Sequence, residues 1–288
     1  MLGGFLPYPF ERDYMQLALL AGVAVGATAP LIGTFLVQQR LSLLGDGIGH
    51  LAFAGVAAGL LLDVFPVWSA LVVAVAGALL VEWLRSRGRT SGDLALALVF
   101  YGGIAAAVVI ASRAHAGSVN VLPYLFGSIL TVSAADVRVV VGLTLGIALV
   151  MAALGRALFA TLVDEESARV AGIPVRLCNR TLAVLTAVAV VAAMRVVGVL
   201  LVAALMVVPV AASRQLARSF RGTLVGAVGF GIASVVAGLV ASRAWDLAPG
   251  GTIVLTAIVG FAVSLAVAAA RRRSFAPGRG QQTRTTEG

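Results

Sequence analysis

The stretch LAVLTAVAVVAAMRVVGVLLVAALMVVPVAA, residues 182–212, holds one charged side chain, Arg195, in 31 positions. A helix needs roughly 20 apolar residues to cross a hydrocarbon layer about 30 Å thick, so this run is too long for one ordinary crossing. It also lacks a polar loop that would divide it into two. Backbone polar groups in lipid must be satisfied internally, so the simplest account is two spans joined by a tight reversal or a broken helix near Arg195.

Working outward, further apolar runs fall at 15–37, 48–62, 67–84, 94–111, 137–159, 223–241 and 252–270. The run 48–62 and the pair flanking Arg195 are short, which sets the expectation at eight or nine spans. The chain has 288 residues, 60% hydrophobic and 11% charged, with a mean hydropathy of +1.05. That composition excludes a soluble domain around one core. The fold class read here is an all-α polytopic membrane protein, multi-pass in the cell membrane, with residues 15–272 forming the transmembrane domain. Residues 1–14 read as an N-terminal segment, without the basic region and small-residue cleavage site of a secretory peptide, so the first span is expected to be retained. Residues 273–288 are polar and read as a disordered, solvated tail.

The net charge of +9 would suggest nucleic acid only if basic residues clustered on a soluble face. They fall instead mostly in the short connections, so no nucleic-acid partner is expected, and the lipid bilayer is. Under the positive-inside rule, Arg85, Arg87 and Arg89 are cytoplasmic. Alternation then puts Arg113 and His115 outside, Arg156 to Arg180 inside, Arg195 outside, and both Arg214 to Arg221 and Arg271 to Arg273 inside. If the run 48–62 crosses fully, the N-terminus lies outside. If that run is re-entrant, the N-terminus lies inside and the residues just before the run sit deeper.

Those residues are Gly45-Asp46-Gly47-Ile48-Gly49-His50. A carboxylate and an imidazole at i and i+4 share one helix face, and ionisable groups at membrane depth face a protein interior or an aqueous path. An oxygen and a nitrogen donor together suit a divalent transition metal. The alternative is structural: Asp46 near a helix N-terminus and His50 in a hydrogen bond. Two ligands are also fewer than most metal sites use.

Other segments carry less chemistry. The lone Cys178 excludes an internal disulfide and reads as a small apolar residue at a helix start. Asp164-Glu165-Glu166 opens a short helix capped at Gly172, with the carboxylates placed where the helix dipole favours them. No Gly-rich phosphate loop followed by Lys occurs, so the chain is not expected to bind ATP and is read as a transport subunit, not an enzyme. The spacings Gly22/Gly26 and Gly55/Gly59 read as close helix packing. In 209–222, basic and apolar residues alternate at helical spacing, which suggests a short amphipathic helix on the inner surface that rests in headgroups or docks a soluble partner.

Several segments together resemble the permease subunits of the ABC importers that take up zinc or manganese, from about Leu31 to Leu265. They are Gly45-Asp46 with His50 and Gly55; the Tyr124 to Leu130 segment; the Asp164 to Val175 connection; the Val197 to Leu205 segment with Pro209-Val210-Ala211-Ala212; and Pro249-Gly250-Gly251-Thr252. Gly49 departs from the family, which usually has Ser before the His. The resemblance implies the ABC importer permease fold and a complex with a cytoplasmic ABC ATPase, an extracytoplasmic metal-binding protein and a second permease copy, as a homodimer. ATP hydrolysis then belongs to the partner. No cofactor is implied as permanently bound; the transported ion is Zn2+ first, Mn2+ next. The resemblance places Asp46 and His50 on the ion path. It maps the segment that couples to the ATPase onto Ala211, Ala212, Ser213, Arg214, Gln215, Leu216, Ala217 and Arg218, within 211–220.

Two rival readings stand beside it. A permease for iron chelates or cobalamin shares the general architecture, but a large chelate needs a wide cavity and no direct metal ligands. An ion-coupled secondary transporter would need no ATPase, and no internal two-fold repeat supports it.

Overall fold

A computed structural model of the chain describes residues 13–87, 92–113, 122–127 and 133–274. The expected N-terminal segment and C-terminal tail, together with Arg89, His115 and the end of the Tyr124 to Leu130 segment, lie outside the described residues or at their margin.

The described residues form helices and no strand: α1 (Asp13–Gln38), α2 (Leu44–Leu61), α3 (Pro66–Ser86), α4 (Gly92–Arg113), α5 (Leu122–Phe126), α6 (Ala134–Val163), α7 (Glu165–Val170), α8 (Val175–Met194), α9 (Val199–Leu216), α10 (Phe220–Ala244) and α11 (Pro249–Ser274). Among the described residues nine are long and apolar enough to cross a membrane, all but α5 and α7. The run at 48–62 thus belongs to a helix long and apolar enough to cross: α2 starts at Leu44 and its 18 residues cover about 27 Å. With nine alternating spans, α5 marks one end of the bundle and α7 the other.

The expected break at Arg195 is a reversal. Arg195 is the C-cap of α8, the N–H groups of Val197 and Gly198 donate to the carbonyls of Ala193 and Met194, and Gly198 turns the chain at φ +89°. Two long helices therefore face each other with no polar loop between them.

Helix α8 is central. It packs on α1, α2, α3, α6 and α9, with α4 outside α2 and with α10 and α11 outside α1 and α9. Small residues bring the backbones together where lipid supplies no hydrophobic drive. Pro30 lacks an N–H, so the Gly26 carbonyl loses its usual helical donor. Gly231 of α10 abuts that carbonyl and the Pro30 ring so closely that a Cβ there would collide with both. Gly55 likewise lies against Ala70 of α3, 2.7 Å from Ala70 Cα if a Cβ is added. The two Gly-xxx-Gly pairs read from the sequence are helix contacts. Two fully buried hydroxyls within the spans are satisfied by their own helices: Thr34 donates to the Pro30 carbonyl at 2.9 Å and Thr186 to that of Leu182 at 2.8 Å.

Candidate functional site

Asp46 lies in the first turn of α2 and His50 one turn later. The glycines around them decide where they point. A Cβ on Gly45 would come 3.0 Å from Met206 Sδ and one on Gly49 3.3 Å from the Val199 carbonyl oxygen, so both glycines face α9. Gly47 faces α4, at 3.6 Å from Leu96 Cδ1. With 100° between successive residues, Asp46 and His50 take the remaining sector and aim into the cleft between α4 and α9. Those two helices flank α2 without extended contact with each other.

His50 Nε2 and Asp46 Oδ1 are 3.9 Å apart, with 16% and 31% of the side chains exposed. The imidazole packs edge-to-face on Phe100 of α4, with ring centroids 4.7 Å apart and planes at 79°. This contact fixes one side of the ring and leaves its polar edge toward Asp46. Among the described residues no third His, Cys, Asp or Glu completes a metal-sized group. Both ligand types are thus present on one face, solvent-accessible, and short of a closed coordination shell.

Depth follows from the packing. Gly33 and Gly45 both abut Met206, and Gly33 is five residues from the end of α1. Counted along α1, Asp46 therefore lies roughly 8 Å inside that end, and counted along α9, where Met206 stands ten residues before Leu216, roughly 15 Å, with His50 one turn deeper. The Gly49 substitution noted in the sequence falls on the α9 face. It removes no hydroxyl from the face carrying the pair.

The expected inner-surface helix is not a separate element. Ala211, Ala212, Ser213, Arg214, Gln215 and Leu216 are the last turns of α9, Ala217 is its C-cap, and α10 begins at Phe220 with the Ser219 hydroxyl as its cap. The Ser213 hydroxyl donates to the Thr223 carbonyl at 2.8 Å, clamping the two helices across the corner. That bond leaves no length for an independent surface helix. Arg214 and Arg218 are exposed at this corner, while Ala212 and Ser213 are buried.

At the α7 end, Asp164 caps α7 by accepting from the Glu166 and Ser167 amides, and Gly172 (φ +80°) ends the turn. The Ser167 hydroxyl at 2.5 Å, with those amides, holds the exposed Asp164 carboxyl below the usual carboxylate range. Cys178 is buried in the first turn of α8, as its apolar reading required.

At the α5 end three of the resembling segments meet. A Cβ on Gly198 would strike Leu125 and Gly127, one on Gly127 would strike Val196, and one on Gly250 would strike Val197 and Phe126. Backbone thus rests on backbone from α5, the α8–α9 reversal and the start of α11. Beside this knot Arg195 Nη2 donates to Asp136 Oδ2 at 2.6 Å, and its guanidinium lies 4.8 Å from the Tyr124 ring centroid. The sequence reading missed the partner of Arg195.

The sequence profile of the ABC 3 transport family matches residues 11–268. The chain belongs to this family. Two similar proteins are the manganese transport system membrane protein MntC of Halalkalibacterium halodurans, 30% identical over 99% of this chain and 94% of its own, and the high-affinity zinc uptake system membrane protein ZnuB of Haemophilus influenzae, 29% identical over 86% and 95%. The solved structure of PsaBC from Streptococcus pneumoniae in complex with Fab superimposes with a TM-score of 0.79 at 28% identity, covering 88% of this chain and 91% of that one. An inward-facing metal-chelate type ABC transporter shares the fold alone, at 19% identity and a TM-score of 0.62. The family and the nine spans make this ABC 3 chain a multi-pass membrane protein.

Proposed function

We propose that this chain is the permease of an ABC importer that carries a divalent metal ion, zinc or manganese, into the cytoplasm, with Asp46 and His50 as passing ligands. The observation that carries the reading is the pair itself: a carboxylate and an imidazole 3.9 Å apart, aimed into an open cleft inside the bundle of a membrane protein. Names of relatives that transport manganese and take up zinc support the same class of cargo. One carboxylate and one imidazole accept either ion.

An incomplete ligand set suits transit. A site must replace enough of the hydration shell to admit the ion, yet hold it weakly enough to release it. Asp46 supplies charge and His50 a directional nitrogen, oriented by its contact with Phe100; water or the same pair from a second copy completes the shell. The α5 end then faces the extracytoplasmic binding protein. The corner from Ala211 to Arg218 faces the cytoplasmic ATPase, to which exposed Arg214 and Arg218 offer charge. Because this corner is continuous with α9, and α9 abuts Gly45 and Gly49, a push there reaches the wall of the ion site through one helix.

The test is uptake of radiolabelled zinc and of manganese into metal-starved cells lacking the chain, complemented with wild type or Asp46→Ala/His50→Ala. Wild type restores uptake of one or both ions, and the double variant restores none while retaining the ATPase in pull-down. Normal uptake by the double variant would overturn the site. Undiminished ATPase capture by Arg214→Glu/Arg218→Glu would move the coupling surface elsewhere.

A further inference from the structure

On the far side of α8 from the Asp46/His50 cleft, α3 and α6 both pack on α8 but share no extended contact with each other. Between the start of α3 and the first three turns of α6, at the α5 end, lies an open cavity of about 540 Å³ whose lining includes Phe65, Trp68, Arg138, Val139, Gly142 and Leu143. Its walls are almost wholly apolar apart from one guanidinium. A Cβ on Gly142 would meet nothing within 4 Å, and the same holds for Gly146 one turn on, so this face of α6 stays uncovered below the cavity.

Arg138 is the unusual member. At this end Arg195 pairs with Asp136 and Arg243 with Asp246, whereas among the described residues no carboxylate lies within ion-pair distance of the exposed Arg138 or of Arg113 at the end of α4, and of these two Arg138 alone lines the cavity. A basic residue at the external end also runs against the charge bias of membrane proteins. Trp68 lines the same cavity, and indole rings of this kind are enriched at the headgroup boundary.

We propose that this trough binds one anionic phospholipid of the outer leaflet, with its phosphate on Arg138, its glycerol region beside Trp68, and an acyl chain over Gly142 and Leu143. A guanidinium holds phosphate oxygens through paired N–H donors, and charge complementarity selects an anionic headgroup because a zwitterionic one already carries its own cation beside the phosphate. A second copy of the chain is the other occupant to consider. A copy sharing the ion path would sit on the α2, α4 and α9 side, across α8 from this trough.

Trp68 is a built-in reporter. In the full-length permease carrying Trp83→Phe and Trp245→Phe, reconstituted in phosphatidylcholine nanodiscs, a few mole per cent of phosphatidylglycerol brominated near the headgroup is expected to quench Trp68 several-fold more than the same fraction of brominated phosphatidylcholine. Arg138→Gln and Gly142→Leu should each bring quenching down to the phosphatidylcholine level. Equal quenching by the two lipids, or an unchanged preference in Arg138→Gln, overturns the proposal. So does disulfide cross-linking of Gly142→Cys to a second copy, which would put protein in the trough. Native mass spectrometry of the otherwise unaltered chain gives an independent reading: wild type should retain phosphatidylglycerol through detergent release and Arg138→Gln should lose it, and equal retention counts against the site.

Discussion

Arg195 and Asp136, 59 positions apart in the chain, meet at 2.6 Å with only 13% and 3% of their side chains exposed. The same Asp136 oxygen accepts from the Ser133 amide and hydroxyl, at 3.0 and 2.7 Å. One carboxylate therefore caps α6 and neutralises the only charge in the α8–α9 reversal. Removing one member of such a buried pair leaves the other charge uncompensated, at about 3–5 kcal/mol. Asp136→Ala is expected to lower the thermal unfolding midpoint of the purified permease strongly. Asp136→Leu/Arg195→Met, which removes both charges, should unfold closer to wild type. Equal midpoints for the single and double variants would show that the pair does not hold the reversal.

Arg195 also illustrates how far the sequence reaches. A lone arginine among apolar residues requires a break and a partner, and the break is legible because 31 apolar positions exceed one crossing. The partner is not, because Asp136 sits at the margin of another apolar run and nothing local marks it as buried. Walking the charges along alternating spans put Arg195 and the start of the run at 137–159 at the same end, which was the available signal. Asp46 and His50 were visible from i, i+4 spacing, but their direction depends on which helices Gly45, Gly47 and Gly49 touch. The separate surface helix expected within 209–222 is instead the end of α9 and the start of α10, since alternating basic and apolar residues look alike on a free helix and on the last turns of a long one. The unbroken run of α9 to Leu216 and the Ser213 to Thr223 bond across the corner separate the two.

Gly33 carries a packing prediction. A Cβ there would overlap the Met206 carbonyl, and Met206 also lines the wall behind Gly45. Backbone cannot yield as a side-chain tip can, so Gly33→Ala should force α1 and α9 apart at a cost of about 1–3 kcal/mol. Metal uptake per folded molecule should fall as well, because α9 forms one side of the Asp46/His50 cleft. Gly155→Ala, where an added Cβ meets nothing within 4 Å, is the matched control and should leave both stability and uptake near wild type. A Gly33→Ala protein indistinguishable from this control would contradict the α1–α9 contact.

Asp164 makes a pH prediction at the α7 end. Its carboxyl titrates below the usual range because the folded turn donates the Ser167 hydroxyl and the Ser167 and Glu166 amides to the ionised form. A group with a depressed folded pKa stabilises the fold above its unfolded pKa and loses that effect as pH falls through the folded value. Amide protection in α7, corrected for intrinsic exchange, should accordingly drop on acidification through and below the ordinary carboxylate range. Asp164→Asn still accepts from the N-cap amides but cannot titrate, so protection in that variant should be flat over the same interval. A parallel decline in both proteins would assign the acid effect to another group.

Gly198 supplies a prediction at the opposite end. Its φ of +89° is one that L side chains rarely adopt, and a Cβ there would strike the Leu125 carbonyl and the Gly127 amide. Conformational strain of this kind costs about 1–3 kcal/mol before the steric conflict is counted. Since α5 has only five residues and rests on the reversal and the start of α11, Gly198→Ala should release it while the long spans stay folded. Maleimide labelling of a cysteine placed at Leu125, half-buried beside the knot, is expected to accelerate several-fold in the Gly198→Ala background, with far-ultraviolet circular dichroism unchanged. Labelling at the wild-type rate would mean that α5 is held by contacts other than this glycine.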